Sequence, residues 1–169
     1  GAEDVEAFAA TGLVNFVAFA DTEIRGEWTA KVRKAYPTVP RFDDFRKMFD
    51  KMADEIDAVL VATPDHSHFA ACMAAMQCGK SVYTEKPMGN TFREIQVMID
   101  MAEKNPKLVT QMGNQGHSLA NYYQSKEMAK RGMFKGAVKV VAHMNNGRRW
   151  HKWNESVREM FPAGEAAPD

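Results

Sequence analysis

The sequence predicts an α/β protein built on a doubly wound, mostly parallel sheet. Three observations predict it. Strand-like and helix-like segments alternate almost regularly from residue 4 to residue 130, the pattern of βαβ units with helices on both sheet faces. Asp57–Thr63 is a continuous apolar run, which suits a strand buried on both faces. Residues able to meet a ligand, namely Asp21, Thr63-Pro64, Glu85-Lys86-Pro87 and Gly113-Asn114-Gln115, stand just after strand-like runs, where such sheets bind ligands.

Each element has its own signal. Residues 4–11 are helix-like and stop at Gly12. Residues 13–20 form an apolar, β-prone run ending in Asp21. Residues 23–36 carry helix formers and stop at Pro37. In residues 42–54, Phe42, Phe45, Met48, Phe49 and Met52 fall on one stripe at helical spacing. After the apolar run at 57–63, residues 66–78 are helix-like and close at Gly79. Ser81–Thr84 is a short strand, and Thr91 and Glu94 are spaced as a capping box for a helix over 91–103. Residues 108–112 give another strand and 119–130 another helix, ending at Gly132.

The pattern changes after Gly136. Val138–His143 alternates, and the following residues are rich in Asn, Gly, Arg and Trp. The expected division is therefore 1–136 for the main domain and 137–169 for the start of a second, α+β domain. The latter stretch is too short to bury a core alone. The helix at 4–11 has no strand in front of it and the chain holds no G-x-G-x-x-G turn. The expectation is that the first strand and its glycine turn precede residue 1, and that most of the second domain follows Asp169. The 169 residues alone are then expected neither to bind a dinucleotide normally nor to turn over substrate.

Composition narrows the function classes. Lys+Arg and Asp+Glu are both 22. Zero net charge argues against a protein that binds nucleic acid through phosphates, and no polybasic segment suggests a membrane surface. No apolar run approaches the ~20 residues of a membrane span. Cys72 and Cys78 are six apart in a helix-like stretch, so they point to different sides and read as buried thiols, not a disulfide or a zinc site. His66 and His68, two apart at a helix start, do not both face one ion easily, so no metal is expected.

Asp21 has two readings. An acidic residue at this place in a Rossmann-like sheet accepts hydrogen bonds from the adenosine ribose hydroxyls. Equally, it caps the helix expected after it. A carboxylate here repels a 2′-phosphate, which favours NAD over NADP, while Arg25 is placed to reach such a phosphate and keeps NADP open. Met48, Met52, Met73, Met76, Met98 and Met101 lie at helical spacings and read as core.

The segments Ala62-Thr63-Pro64-Asp65-His66-Ser67-His68, Gly79-Lys80-Ser81-Val82 and Glu85-Lys86-Pro87 together resemble the Gfo/Idh/MocA family of nicotinamide-dependent oxidoreductases. Thr63, Pro64, His68, Gly79, Glu85, Lys86 and Pro87 match the family pattern, and the resemblance covers roughly residues 13–145. The run Thr110–His117 resembles a subgroup common in bacteria that degrade polysaccharides.

The resemblance implies a two-domain enzyme using NAD, with NADP possible. It implies a carbohydrate-like small-molecule substrate and a homo-oligomer, and no nucleic-acid or membrane partner. Lys86 would sit beside the nicotinamide and the reacting carbinol. Thr63 and Pro64 would line the cofactor, Glu85 would contact it or set the lysine, and Pro87 would fix the turn, through a cis bond in one reading. His68 would be a structural or cofactor-side residue, and Asn114 matches the family's Asn after the next strand. The sequence departs from the pattern two residues later, where many members carry Arg and this chain has Gly116 followed by His117.

His117, Arg149 and Trp150 are candidate substrate contacts, the last two within a basic-aromatic cluster suited to sugar rings. That cluster is equally suited to packing on its own domain. Three functions remain open at this point: a sugar or polyol dehydrogenase, an NAD-dependent glycoside hydrolase that oxidises, eliminates and re-reduces, and a non-catalytic cofactor-binding module. The compartment, cytoplasmic or periplasmic, is not set by the sequence.

Overall fold

The computed structural model describes residues 1–27 and 29–141. The chain divides into two compact units, Gly1–Tyr123 and Gln124–Asp169. In the first unit the elements run α1 (Ala2–Ala10), β1 (Phe19–Ala20), α2 (Ala30–Ala35), β2 (Arg41–Phe42), α3 (Phe45–Met52), β3 (Ala58–Val61), α4 (His68–Gln77), β4 (Ser81–Glu85), α5 (Phe92–Lys104) and β5 (Thr110–Gly113). A helix α6 (Ala120–Lys130) follows. The boundary expected near Ala137 lies inside the second unit, and residues 137–141 carry no regular element.

Every strand pair among the described residues is parallel. β1 pairs with β2, and β3, β4 and β5 form a sheet in that order. Helices cover both faces of the larger sheet. Val82 and Thr84 of β4 are buried and, with Met76 of α4 and Met98 of α5, line one small cavity. Tyr83 points the other way, and its ring meets Phe8 of α1 edge-on at 5.1 Å. Alternation along one strand thus fixes two helical layers.

The core joins α3 (Met48, Phe49, Met52), Ile56, Val61, α4 (Ala71, Cys72, Ala75, Met76), Val82 and Met98. Burying a side chain of Met or Phe size contributes about 1.5–3 kcal/mol. The expected methionine stripes are this core, with Met73 and Met101 partly buried at its edge. Cys72 is fully buried, but Cys78, expected buried, is exposed and both thiols are free. Cys78 is the C-cap of α4, one residue past the turn that faces the sheet.

Helix ends follow the sequence signals. Thr91 Oγ1 accepts the Glu94 N–H at 3.1 Å, and Glu94 Oε2 accepts the N–H groups of Thr91 at 3.0 Å and Asn90 at 2.7 Å, closing the capping box. Gly79 takes φ +72° after α4, a left-handed conformation that only glycine adopts freely.

Three elements differ from expectation. The apolar run 13–20 forms ladder only at Phe19–Ala20, and Leu13 is 88% exposed. Its one ladder partner, β2, is two residues long, so the rest of the run has nothing to pair with. The helix expected over 23–36 shrinks to Ala30–Ala35. Arg33 Nη1 donates to the carbonyls of Ile24 at 3.0 Å and Gly26 at 2.7 Å, and Thr29 Oγ1 donates to the same region. These side chains take the carbonyls that helical N–H groups would have used. The helix expected from Phe42 begins at Phe45, because Asp44 Oδ1 accepts the Arg46 N–H at 2.9 Å as the N-cap and Phe42 is already in β2.

Candidate functional site

Parallel strands bring their carboxyl ends to one edge of a sheet. Here that edge collects Thr63-Pro64 after β3, Glu85 at the end of β4 with Lys86-Pro87 after it, and Asn114 after β5. Asp21 occupies the corresponding place after β1, in the ladder with β2. Gly1, the N-cap of α1, lies against the carboxyl end of β3, where a Cβ on it would stand 3.5 Å from the Ala62 carbonyl oxygen. The amino end of α1 therefore opens beside the strand ends, the arrangement that receives a phosphate in dinucleotide folds.

Asp21 caps the turn that follows it. Its N–H donates to the Phe42 carbonyl at 3.0 Å, and its Oδ1 accepts the Glu23 N–H at 2.8 Å, which caps the following turn. Its Oδ2 has no partner among the described residues and the side chain is exposed, so a ribose hydroxyl would have an acceptor there. Nearby, Arg25, Arg41, Lys47 and Lys51 surround a cavity of about 410 Å³. Asp43 engages Lys47 at 2.9 Å, and Arg41 is bound to backbone carbonyls including that of Tyr36. Arg25 and Lys51 carry no ion pair among the described residues.

The turn after β3 is pinned by Ser67, whose Oγ lies 2.8 Å from both Thr63 Oγ1 and the Pro64 carbonyl. His68, the first residue of α4, is 1% exposed. Its Nδ1 is 2.6 Å from the Pro87 carbonyl oxygen and its Nε2 is 2.7 Å from the Thr63 carbonyl oxygen. One ring therefore joins the turn after β3 to the turn after β4.

Lys86 follows β4 directly and its side chain is exposed, with no hydrogen bond or ion pair among the described residues. The Lys86–Pro87 peptide is cis, as one reading of the sequence anticipated. Glu85 is half-buried, and its Oε2 accepts from Gln115 Nε2 at 3.3 Å. Gly113, opposite Glu85 in the ladder, leaves room for that carboxylate: a Cβ there would stand 2.5 Å from Glu85 Oε1 and from Tyr83 Oη. Burial, then the Glu85 and Asp4 carboxylates, push the Tyr83 hydroxyl above its ordinary value.

Asn114 is exposed at the start of a single 3-10 turn, where its carbonyl accepts the His117 N–H at 3.1 Å. His117 stacks on Tyr122 at 4.8 Å. Arg149 and Trp150 lie outside the described residues. Among the described residues, no three His, Cys, Asp or Glu side chains converge as a metal site would require, and no helix is long and apolar enough to cross a membrane.

Sequence reasoning missed Tyr83, and it marked Gly113 and Gln115 as strand-end residues without showing their contacts with Glu85. Tyr83 was hidden inside a short strand. Gly113 and Gln115 flank Asn114, and only the register of β4 against β5 shows that they meet Glu85. The donor set fits a nicotinamide dinucleotide. It offers a helix amino end for phosphate, a free carboxylate oxygen for ribose, and a lysine at the central strand end.

Comparison with known proteins agrees with this geometry. Residues 2–112 match the family model described as "Oxidoreductase family, NAD-binding Rossmann fold". An uncharacterized oxidoreductase of Streptococcus pneumoniae is 32% identical over 62% of this chain and 28% of its own length. Inositol 2-dehydrogenase 1 of Saccharopolyspora erythraea is 32% identical over 57% of this chain and 28% of that protein. A glycosyl hydrolase family 109 protein of a Shewanella strain is 28% identical over 72% of this chain and 26% of that protein. The chain thus spans little more than a quarter of the length of these curated relatives.

Among solved structures, myo-inositol 2-dehydrogenase of Lactobacillus plantarum shares the fold at TM-score 0.61 and 24% identity, over 72% of this chain and 35% of that one. Scyllo-inositol dehydrogenase of Lactobacillus casei, with bound NAD(H) and scyllo-inositol, shares it at TM-score 0.56 and 24% identity, over 70% of this chain and 34% of that one. With its parallel sheets and strand-end residues matched by a family model over most of its length, the chain belongs to the Gfo/Idh/MocA oxidoreductase family and carries its NAD-binding Rossmann fold.

Proposed function

We propose that the whole protein is an NAD-dependent oxidoreductase that oxidises a sugar-type or polyol hydroxyl carbon, with Lys86 assisting proton transfer. The observation that carries this reading is the placement of Lys86. It extends from the carboxyl end of β4 with its ammonium exposed and unpaired, while the residues on either side are held. Bound nicotinamide supplies the acceptor for the hydride leaving the carbinol carbon. The developing carbonyl oxygen must then lose its hydroxyl proton: in this reading the Lys86 ammonium hydrogen-bonds that oxygen and stabilises its negative character, and Lys86 takes the proton itself only as the neutral amine.

The other strand-end residues bind and orient. Thr63 and Pro64 line the cofactor, Asp21 Oδ2 takes a ribose hydroxyl, and Asn114 and His117 close the side beyond β5. Substrate contacts from Arg149 and Trp150, and the second domain over 137–169, belong to the same proposal. A homo-oligomeric assembly is part of it too. Asp21 favours NAD in this reading, since its carboxylate repels a 2′-phosphate, while Arg25 keeps NADP open.

One relative supports a second reading. The similarity to a glycosyl hydrolase family 109 protein fits cleavage by transient oxidation, in which a newly formed ketone acidifies the neighbouring C–H and a leaving group departs. The two readings separate on cofactor balance: net NADH accumulates with turnover in the first and stays constant in the second. A Lys86→Ala variant of the whole protein is expected to lose turnover about 10²–10⁴-fold, the usual worth of a positioned acid–base group. Full turnover by that variant would remove both readings.

A further inference from the structure

We propose that His68 is a positioning residue for Lys86, acting as a doubly protonated brace between two strand-end turns. The observation is the ring's surroundings. Nδ1 and Nε2 each face a backbone carbonyl oxygen, that of Pro87 at 2.6 Å and that of Thr63 at 2.7 Å. Both partners are acceptors only. A neutral imidazole offers one N–H and one lone pair, so either neutral tautomer would aim a lone pair at a carbonyl oxygen. The ring is 1% exposed, which leaves no room for solvent to mediate at either end. Both distances fall at the short end for N–H···O bonds, where charge-assisted bonds lie.

Two carbonyl oxygens lie at hydrogen-bond distance on opposite ring edges, and only the ring with two N–H groups donates to both.

The consequence falls on Lys86. On its amino side, Glu85 is in the ladder opposite Gly113. On its carboxyl side, the Pro87 carbonyl is tied through His68 to Thr63. The backbone of Lys86 is fixed from both directions while its ammonium remains free to meet a ligand. His68 does not itself reach solvent, so it acts only through this turn. The positioning role rests on the reading of Lys86 given above; the state of the ring does not.

The test is nitrogen-15 NMR of the chain labelled at histidine, at neutral pH, with His68 assigned by its absence in a His68→Gln variant. The expected result is that both His68 ring nitrogens carry slowly exchanging protons. A resonance at the position of an unprotonated ring nitrogen would overturn the brace. A second arm follows carbonyl carbon-13 resonances. In His68→Gln, those of Thr63 and Pro87 should move together while those of α3 and β2 stay in place. Movement of one carbonyl alone would also overturn it. If Lys86→Ala keeps full turnover while both NMR results hold, the catalytic reading fails and the brace stands. If the NMR results fail and Lys86→Ala is inactive, the reverse is true.

Discussion

Replacing Gly113 by alanine perturbs the strand-end site through one methyl group. The added Cβ would stand 2.5 Å from Glu85 Oε1 and Tyr83 Oη and 2.9 Å from Tyr83 Cζ, roughly 1 Å inside ordinary van der Waals contact. Neither neighbour retreats freely. The Tyr83 ring packs edge-on against Phe8 at 5.1 Å, and Glu85 is held by Gln115 at 3.3 Å. Overpacking of this kind costs about 1–3 kcal/mol, or a fall in Tm of roughly 2–4 °C for each kcal/mol in a chain of this size. Urea unfolding followed by circular dichroism should show a lower midpoint with an unchanged slope. Ultraviolet titration should show the Tyr83 hydroxyl returning toward its ordinary value as it leaves burial and the Glu85 carboxylate. A stability loss under about 0.5 kcal/mol with an unaltered Tyr83 titration would mean that Glu85 and Tyr83 do not close the space beside Gly113.

Stability should fall at alkaline pH. Burial pushes the Cys72 thiol up, partly opposed by its hydrogen bond with Thr84, and burial with two carboxylates pushes Tyr83 up. Each group holds its proton more tightly folded than unfolded. Their contribution is therefore intact below the unfolded values, about 8.5 for Cys and about 10 for Tyr, and is lost as pH rises through the folded values. Cys72→Ala should flatten the earlier part of the decline in a pH series of thermal melts; an identical slope would contradict the assignment. Asp21→Ser removes the carboxylate and leaves Arg25 and Lys51 beside the neighbouring cavity. Calorimetry on the whole protein should then show affinity shifting toward NADP by about tenfold or more, one charge contact at a phosphate; unchanged preference would place the ribose elsewhere.

Much of the fold is legible because its signals are local. The capping box at Thr91 and Glu94, the stop at Gly79 and the apolar run at 57–63 each fix an element with no help from distant residues. The shortfalls have distant causes. Residues 13–20 have the composition of a strand, yet a strand also needs a partner, and β2 supplies only two residues. The helix expected over 23–36 loses its first half to Thr29 and Arg33, whose side chains reach back to carbonyls at Ile24 and Gly26, a competition that propensity does not register.

The site divides in the same way. Thr63, Lys86 and Asn114 follow β3, β4 and β5 and Glu85 ends β4, so their place at one edge is a consequence of parallel order, while Asp21 follows β1 in the two-stranded ladder. The roles of Tyr83, Gly113 and Gln115 depend on which residue of β4 stands opposite which residue of β5. The His68 contacts span five and nineteen positions of sequence. The motif marks His68 as a residue of interest, and only the folded chain shows what it touches.

In the proposed function, the carboxyl ends of these strands hold a nicotinamide cofactor with Lys86 beside its reactive ring. This is tested most directly by titrating the isotope-labelled whole protein with NADH and following backbone amide resonances. Saturable shifts are expected at Gly1–Asp4, Asp21, Thr63, Lys86 and Asn114, with the Lys86 side-chain resonance shifting with them. Absence of binding, or shifts gathered at the amino ends of β3, β4 and β5, would contradict it.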